Sequence, residues 1–285
     1  MNTEDANTPA TPARLQRCVS HAVAHSSFSM LVFLFAVIAL AIQGVMVGTW
    51  LVDDAGISMA YARNLARHGQ LVSQVGAVPV EGFSNPLWVF LLTCFQNLSS
   101  TVVILKSLSM GLLVWASWRL CTAFPSQSPE RTIAAVSVPF LVLQPSVVIW
   151  GLSGLENPLY LAAGVELMIF MCRAASSQAE KREPLFAGVA AACLALTRPE
   201  GLLFSPLYFA AYLYGRTRSM SRRMVILQSF VLPILCLAGY VVFRYLYFGD
   251  VLPNTYRAKG GPSVRMILNL LLLDPYALAA KARII

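Results

Sequence analysis

The stretch that organises the chain covers residues 53–88, DDAGISMAYARNLARHGQLVSQVGAVPVEGFSNPLW. It directly follows a long apolar segment and begins with two adjacent acids, Asp53 and Asp54. Two carboxylates at a membrane exit cost free energy, because water solvates each of them better than lipid does and because they repel each other. We therefore expect this pair to serve a function.

The composition indicates the class of protein. Of the 285 residues, 57% are hydrophobic and 12% are charged, and the mean hydropathy is +0.66. Since a soluble domain carries about 25% charged residues, the sequence predicts an all-α, polytopic transmembrane helical bundle. The net charge of +8 lies largely in short loops, where it sets topology and does not indicate nucleic-acid binding. The cysteines and histidines are scattered without metal-ligand spacing.

The chain divides into three predicted parts. Residues 1–27 are polar and are expected to form a disordered cytoplasmic tail. Residues 28–262 are expected to form the transmembrane domain, beginning with an apolar segment from Phe28 to about Val52 that is long enough for a retained signal-anchor. Residues 263–285 hold one weak apolar run and are expected to be an incomplete C-terminal segment.

The basic loops set the predicted topology. Six further apolar runs follow, at roughly 101–123, 132–152, 157–172, 185–197, 201–215 and 224–248. The segment 86–98 is too short for an ordinary span and is expected to be re-entrant or interfacial, although a full crossing stays open. Without that crossing, the positive-inside rule places three basic loops in the cytoplasm and residues 53–85 in a first extracytoplasmic loop.

Two interpretations of Asp53 and Asp54 stay open. Either residue can N-cap a helix that starts near Ala55 and closes at Gly69. Alternatively, one carboxylate is a general base that takes a proton from an acceptor hydroxyl, or the two jointly hold a divalent cation. The surrounding loop favours the functional interpretation.

Two of the other motifs are weak signals when each is taken alone. Glu81 and Asn85 lie in the turn EGFSNPLW that leads back toward lipid, and Trp88 suits an interfacial anchor. Glu156 ends the loop WGLSGLE between two apolar runs. Acids, amides and glycines at such positions are more often turn residues than substrate contacts.

Charged residues within or beside the later apolar runs are sharper signals. Arg198 and Glu200 flank Pro199 and form either an internal ion pair or a site where the guanidinium binds an anionic headgroup. Glu166 is an intramembrane acid, which is either functional or bonded to a neighbouring helix.

The segment 244–259, RYLYFGDVLPNTYRAK, mixes basic and aromatic residues just past a span. It suits either a lipid phosphate or aromatic-belt anchoring with cations that reach the interface. The candidate ligands are Arg244, Asp250, Asn254, Tyr256 and Lys259.

Taken together, these motifs resemble a known family. The order DDAxIS, YARNLA, VEGFSNPLW, SGLE, TRPEG and GDxLPNTY is similar to that of bacterial GT-C glycosyltransferases related to the mycobacterial terminal arabinofuranosyltransferases. The resemblance covers roughly residues 28–262. The chain departs from the family pattern at Gly56, at Met59-Ala60 and at Arg257.

The resemblance implies a multipass enzyme of the bacterial inner membrane. Such an enzyme transfers a sugar from a polyprenyl-phosphate donor to a cell-envelope glycan or lipid acceptor, by a single inverting displacement at the extracytoplasmic face. Carried over to this chain, Asp53 or Asp54 is the base and Glu81 lies near the acceptor or a metal. Arg198, Arg244 and Lys259 then neutralise the leaving phosphate. Because relatives continue with further helices, the resemblance also implies a missing C-terminal part.

A second class of function competes with the enzyme. A non-catalytic or degenerate membrane protein could bind lipid-linked sugar without turnover, or the bundle could be transporter-like. Transporters place polar groups at mid-membrane and show internal repeats. Here the acids cluster at the ends of the spans and no repeat is evident, which favours the glycosyltransferase.

Overall fold

The computed structural model describes residues 12–96, 101–176, 180–215, 221–252 and 254–255, with side chains from Ser27 onward. The described residues are mostly helical and contain no strand, which confirms the predicted all-α class. Four helices are long and apolar enough to cross a membrane, and a bent pair makes a fifth candidate span. The α-helices are α1 (Pro12–Val47), α2 (Asp53–His68), α3 (Pro86–Thr93), α4 (Thr101–Thr122), α5 (Pro129–Leu143), α6 (Pro145–Gly151), α7 (Asn157–Ala175), α8 (Glu183–Thr197), α9 (Ser205–Gly215), α10 (Arg222–Val225) and α11 (Leu232–Phe248).

Helix α1 extends beyond the predicted span. It begins at Pro12, inside the segment expected to be a disordered tail, whereas its apolar part covers Ser27–Val47. Residues 13–25 are rich in alanine and hold several long unbranched side chains, which have good helix propensity. The polar sequence therefore continues the helix at its N-terminal side.

Proline and backbone irregularities divide the later apolar runs. Gln144 is extended because it precedes Pro145, and the break bends α5 against α6 by 66°. A short 3-10 helix, Pro199–Phe204, precedes α9, and a π-helical segment, Ile226–Val231, joins α10 to α11. Each predicted run therefore becomes helix, but not always one straight helix.

Contacts at the helix termini show that the bundle segments alternate in direction. At one end, Val52 N–H donates to Ser153 O (3.0 Å) and the Lys106 ammonium donates to Trp50 O (2.5 Å). The end of α1, the start of α4 and the loop after α6 therefore meet. The 198 turn and the end of α11 lie at this same end, which we call the motif end.

The opposite end carries the basic loops, and we call it the basic end. There Arg131 Nε of α5 donates to Ser29 Oγ of α1 (3.2 Å), and Arg173 Nε of α7 lies 2.8 Å from Glu183 Oε1 of α8. Gly215, at the end of α9, packs against the Ala174 carbonyl. The segments α1, α4, α5–α6, α7, α8, the 3-10 helix with α9, and α10–α11 thus run alternately between the two ends.

Helix α3 does not run between the ends. It has eight residues, which give about 12 Å of helix against about 30 Å of hydrocarbon. Trp88 near its start bonds to the loop after α6, and α4 begins beside that same loop. The chain therefore leaves and returns at the motif end, as expected for a segment that does not cross.

Candidate functional site

Helix α2 presents its two acids to solvent. It begins at Asp53 with Val52 as N-cap residue and without a side-chain capping bond. The prediction that Asp53 or Asp54 is the N-cap is therefore wrong; both lie in the first turn, where carboxylates favour the positive end of the helix dipole. The predicted close is confirmed, since Gly69 adopts φ 66° and its N–H bonds back to Leu65 O (3.0 Å).

The two aspartates face different surroundings on α2. Asp54 lies one turn before Ser58 and two turns before Tyr61, and both of these side chains are buried. Asp53 lies one turn before Ile57, which is 43% exposed. The geometry thus separates two acids that the sequence alone left equivalent, because only Asp54 shares the face that packs on the bundle.

A continuous chain of polar contacts starts one turn from Asp54. Ser58 Oγ and the Asn85 side chain are within hydrogen-bond distance (3.1–3.2 Å), and Asn85 Nδ2 donates to Glu156 Oε2 (2.8 Å). All three side chains are buried. This chain joins α2, the turn before α3 and the loop before α7, three segments that are far apart in sequence.

Arg198 extends the chain to a fourth segment. Its Nη1 donates to Glu156 Oε1 (3.2 Å) and its Nε donates to Glu200 Oε1 (2.6 Å). The remaining nitrogen, Nη2, has no partner among the described residues, and the side chain is 43% exposed. We call Ser58, Asn85, Glu156, Arg198 and Glu200 the polar relay.

The charges of the relay do not cancel. Burial acts to raise the pKa of Glu200, but the hydrogen bond from Arg198 and its positive charge outweigh burial and hold that pKa below its ordinary value. The formal charges of Glu156, Glu200 and Arg198 sum to one negative charge. The relay therefore suits hydroxyl groups or a cation better than it suits a bare phosphate.

The loop after α6 is shaped to meet α2 and α3. Gly154 adopts φ 93°, and a Cβ there would lie 2.8 Å from Leu51 Cδ2 and 2.9 Å from Leu105 Cδ2. Only glycine tolerates both the left-handed backbone and the close approach. Its carbonyl accepts from Trp88 Nε1 (3.2 Å), so the tryptophan predicted as an interfacial anchor is instead buried in the bundle.

A second cluster, buried beside α2, is centred on Glu81. Tyr240 Oη donates to Glu81 Oε1 (2.6 Å), Arg244 Nη2 lies 3.3 Å from the same oxygen, and Arg244 Nε lies 2.5 Å from Oε2. Asn254 contributes its backbone N–H to Glu81 O (3.1 Å). The cluster ties the turn before α3 to the end of α11.

Burial sets the protonation behaviour of this cluster. Burial raises the pKa of the Glu81 carboxyl above its ordinary value, while the Tyr240 hydrogen bond and the Arg244 charge act against the rise. The Arg244 guanidinium also lies over the Tyr240 ring (4.9 Å to the centroid). Glu81 and Arg244 are almost fully enclosed, so the cluster holds the loop in place and offers no open ligand position.

The other predicted site residues are more peripheral or lie outside the described chain. Asp250 Oδ1 accepts from the Leu252 backbone N–H (3.2 Å), and the Asn254 side chain is exposed. Tyr256 and Lys259 lie outside the described residues. Within the described residues no group of three His, Cys, Asp or Glu side chains could hold a metal ion, so Asp53 and Asp54 have no third protein ligand there.

Two residues at this end of the bundle, Tyr240 and Lys106, were not predicted from the sequence. Tyr240 lies within an apolar run, where its sequence context does not distinguish it from the other residues of the span. Its spacing of four from Arg244 nevertheless places the two side chains on one helix face. Lys106 is a cation inside an apolar run, and its ammonium donates to the carbonyls of Trp50 and Leu152. A lysine isolated in an apolar run is the sequence feature that could have indicated a role for this residue.

Glu166 belongs to neither cluster. Arg119 Nε donates to its Oε1 (2.6 Å), Arg119 Nη2 donates to its Oε2 (2.9 Å), and Trp115 Nε1 also donates to Oε1 (3.0 Å). Of the two open interpretations of this acid, bonding to a neighbouring helix is the one that the contacts support.

Comparison of the chain with protein-family models, with curated proteins and with solved structures finds no match. The chemistry of the site is therefore argued from its own residues. Four motif segments converge at one end of a helical membrane bundle, with an exposed carboxylate, buried acids and one partly exposed guanidinium. Such a site can accept protons and hydrogen bonds from hydroxyl groups beside a membrane surface.

Proposed function

We propose that the protein is a membrane glycosyltransferase of GT-C type. It transfers a sugar from a polyprenyl-phosphate donor to a cell-envelope glycan or lipid acceptor at the extracytoplasmic face of the bacterial inner membrane. The observation that carries the proposal is the polar relay, in which residues of four separate motifs touch one another one turn from Asp54. The positive-inside rule supports placing the motif end outside.

Asp54 is the proposed general base. Its carboxylate takes the proton of the acceptor hydroxyl while the acceptor oxygen bonds to the anomeric carbon and the bond from that carbon to the phosphate oxygen breaks. Polyprenyl phosphate leaves with the electron pair, and the anomeric configuration inverts. Asp54 is favoured over Asp53 because it lies on the helix face that carries Ser58.

The relay is proposed to bind the sugar. The half-exposed Glu200 carboxylate and Arg198 Nη2 are positioned to bond to sugar hydroxyls, and Glu156 holds Arg198 in place from its buried side. Because the relay carries a net negative charge, the donor phosphate requires a cation of its own. The candidates are the nearby Lys106 and a divalent cation bound by the donor phosphate, water and the exposed aspartates.

A second function has one observation in its favour. Glu81, Glu156 and Glu200 are each paired with an arginine, so the acids of the site other than Asp53 and Asp54 already have structural partners. A degenerate relative that binds lipid-linked sugar without turnover would show this arrangement. The two candidates differ in whether Asp54 is needed for transfer.

The decisive experiment compares two neighbouring carboxylates. Asp54→Asn is expected to lower sugar transfer from a polyprenyl-phosphate donor by 100-fold or more, roughly the contribution of a general base. Asp53→Asn, the matched control, is expected to retain most of the activity. Transfer at the wild-type rate by Asp54→Asn would remove the proposed base, and donor binding by the wild type without any transfer would favour the non-catalytic relative.

A further inference from the structure

A large cavity lies away from the polar relay, between α4, α7 and α8. Its volume is about 770 Å³, within the range of sites that bind small molecules. It extends along α7 from Leu159 to Arg173, about 21 Å of helix. This length matches one bilayer leaflet with its headgroup region, which is about 20–22 Å thick.

The lining of the cavity changes along its length. The part toward the motif end is apolar and includes Leu112, Leu159 and Cys193. The part at the basic end is charged and includes Arg173, Glu180, Arg182 and Glu183. An amphipathic molecule that lies parallel to the helices changes from apolar to charged along its length in the same way, whereas a small polar solute does not.

The walls open toward the surrounding membrane. Trp115 on α4 and Phe186 and Val189 on α8 line the cavity and are 46–50% exposed. An apolar chain can therefore enter sideways from lipid. The ion pair of Arg119 with Glu166, which also lines the cavity, neutralises itself and leaves the middle without net charge.

The charged part has an unsatisfied acceptor and an unpaired cation. Glu183 is 97% buried, its Oε1 lies 2.8 Å from Arg173 Nε, and the Glu180 backbone and the charge of Arg119 also act on its carboxylate. Neither carboxylate oxygen accepts a hydrogen bond of good geometry within the described residues, and Oε2 has no ion-pair contact there. A buried carboxylate oxygen without a donor is costly and calls for one. Arg182 lines the cavity at the basic end, is exposed, and makes no ion pair within the described chain.

We propose that this cavity binds an aminophospholipid from the leaflet at the basic end. The primary ammonium of the headgroup donates to Glu183 Oε2, the phosphate pairs with Arg182, and one acyl chain lies along α7 toward Leu159. Phe170 and Phe186 line the cavity about one turn from Arg173 and Arg182, and aromatic rings there favour a cation. This site is separate from the polar relay and does not depend on the proposed transfer.

The test measures lipid retention by the purified full-length protein with native mass spectrometry. Phosphatidylethanolamine, phosphatidylcholine and phosphatidylglycerol with identical acyl chains serve as probes. The second lacks an N–H donor, and the third has no ammonium. Wild-type protein is expected to retain phosphatidylethanolamine about tenfold better than either of the others, as expected for one charge-assisted hydrogen bond.

Three variants and one control separate the parts of the site. Glu183→Gln is expected to abolish the preference, whereas Glu130→Gln, the same change at the same end but outside the cavity, keeps it. Arg182→Gln weakens all three lipids alike, because they share the phosphate. Val189→Trp, which fills the cavity from an exposed position, also lowers retention of all three and serves if Glu183→Gln does not fold.

The outcomes decide the proposal. Equal retention of the three lipids by the wild type would overturn it, and so would an unchanged preference in Glu183→Gln or full retention in Val189→Trp. Because no readout uses sugar transfer, failure here is distinct from failure of the proposed glycosyltransferase.

Discussion

At the scale of single residues, the contact of Glu81 with Arg244 is the most consequential. Both side chains are buried, and the contact spans 163 positions of sequence. A buried ion pair contributes little net free energy to folding, but removal of one partner is strongly destabilising because it leaves an uncompensated buried charge. The pair therefore fixes the turn that carries Asn85 relative to α11.

Arg244→Met tests this role directly. The variant keeps a long side chain but removes the charge, so the free energy of unfolding in detergent is expected to fall by about 3–5 kcal/mol at neutral pH. The double variant Glu81→Gln with Arg244→Met removes both charges and is expected to recover much of the loss. An equal loss in the single and double variants would contradict the account.

The pH dependence of that variant follows from the sign of the pKa shift. Burial already raises the pKa of Glu81, and loss of the opposing Arg244 charge raises it further. A carboxyl whose pKa is higher in the folded state stabilises that state at acid pH, and this contribution is lost as pH rises through the folded-state pKa. The defect of Arg244→Met should therefore be smallest below pH 4.5, the ordinary value, and grow toward neutrality.

The sequence predicted several of the residues of the site but not their contacts. Glu81, Asn85, Glu156 and Arg198 stand out as polar residues between apolar runs. Which of them touch depends on loop geometry that no local pattern encodes, such as the left-handed Gly154. The N-cap prediction failed for a similar reason: the Val52 backbone is bonded to Ser153, and the helix begins at Asp53, one or two residues earlier than the acids suggested.

At the scale of elements, α8 packs very closely against the segment that leads into α11. A Cβ built on Gly188 would lie 1.8 Å from the Gln228 carbonyl oxygen, in the π-helical segment before α11. Small side chains such as Ala187, Ala191 and Ala195 continue the buried face of α8. Close approach of backbones through small residues is how membrane helices pack without large side chains.

Gly188→Ala is expected to be destabilising in spite of the better helix propensity of alanine. The contact is with backbone, so the π-helical segment must move, at a cost of about 1–3 kcal/mol. Gly239→Ala on α11 is the matched control, because a Cβ there meets nothing within 4 Å. Thermal unfolding should separate the two variants, and equal melting temperatures would contradict the close approach.

The helical elements were also the part of the fold that the sequence predicted best. Apolar runs marked the positions of α4, α7 and α8 to within a few residues, because lipid requires internally bonded apolar helices. The breaks were harder to predict. A proline at 145 gave a visible signal, and Pro233, just past the π-helical segment Ile226–Val231, also removes a backbone donor near that irregularity. The close approach of that segment to Gly188 has no local sequence signal.

At the scale of the whole molecule, both proposed sites depend on the alternation of the segments between the two ends of the bundle. The polar relay needs Ser58, Asn85, Glu156 and Arg198 at one end, and the aminophospholipid site needs the basic loops at the other. Both follow only if α3 returns to the end from which it started. The sequence left that point open, and the contacts of Trp88 and Lys106 support the return.

Sidedness of single cysteines tests this alternation most directly. In a cysteine-free background, Ser73→Cys and Pro199→Cys mark the motif end, and Ser176→Cys and Ser221→Cys mark the basic end; all four positions are exposed. A membrane-impermeant thiol reagent applied to intact cells is expected to label positions 73 and 199 and to spare 176 and 221 until the membrane is opened. Labelling of 73 and 199 from opposite sides would contradict the account, because the polar relay could not then form.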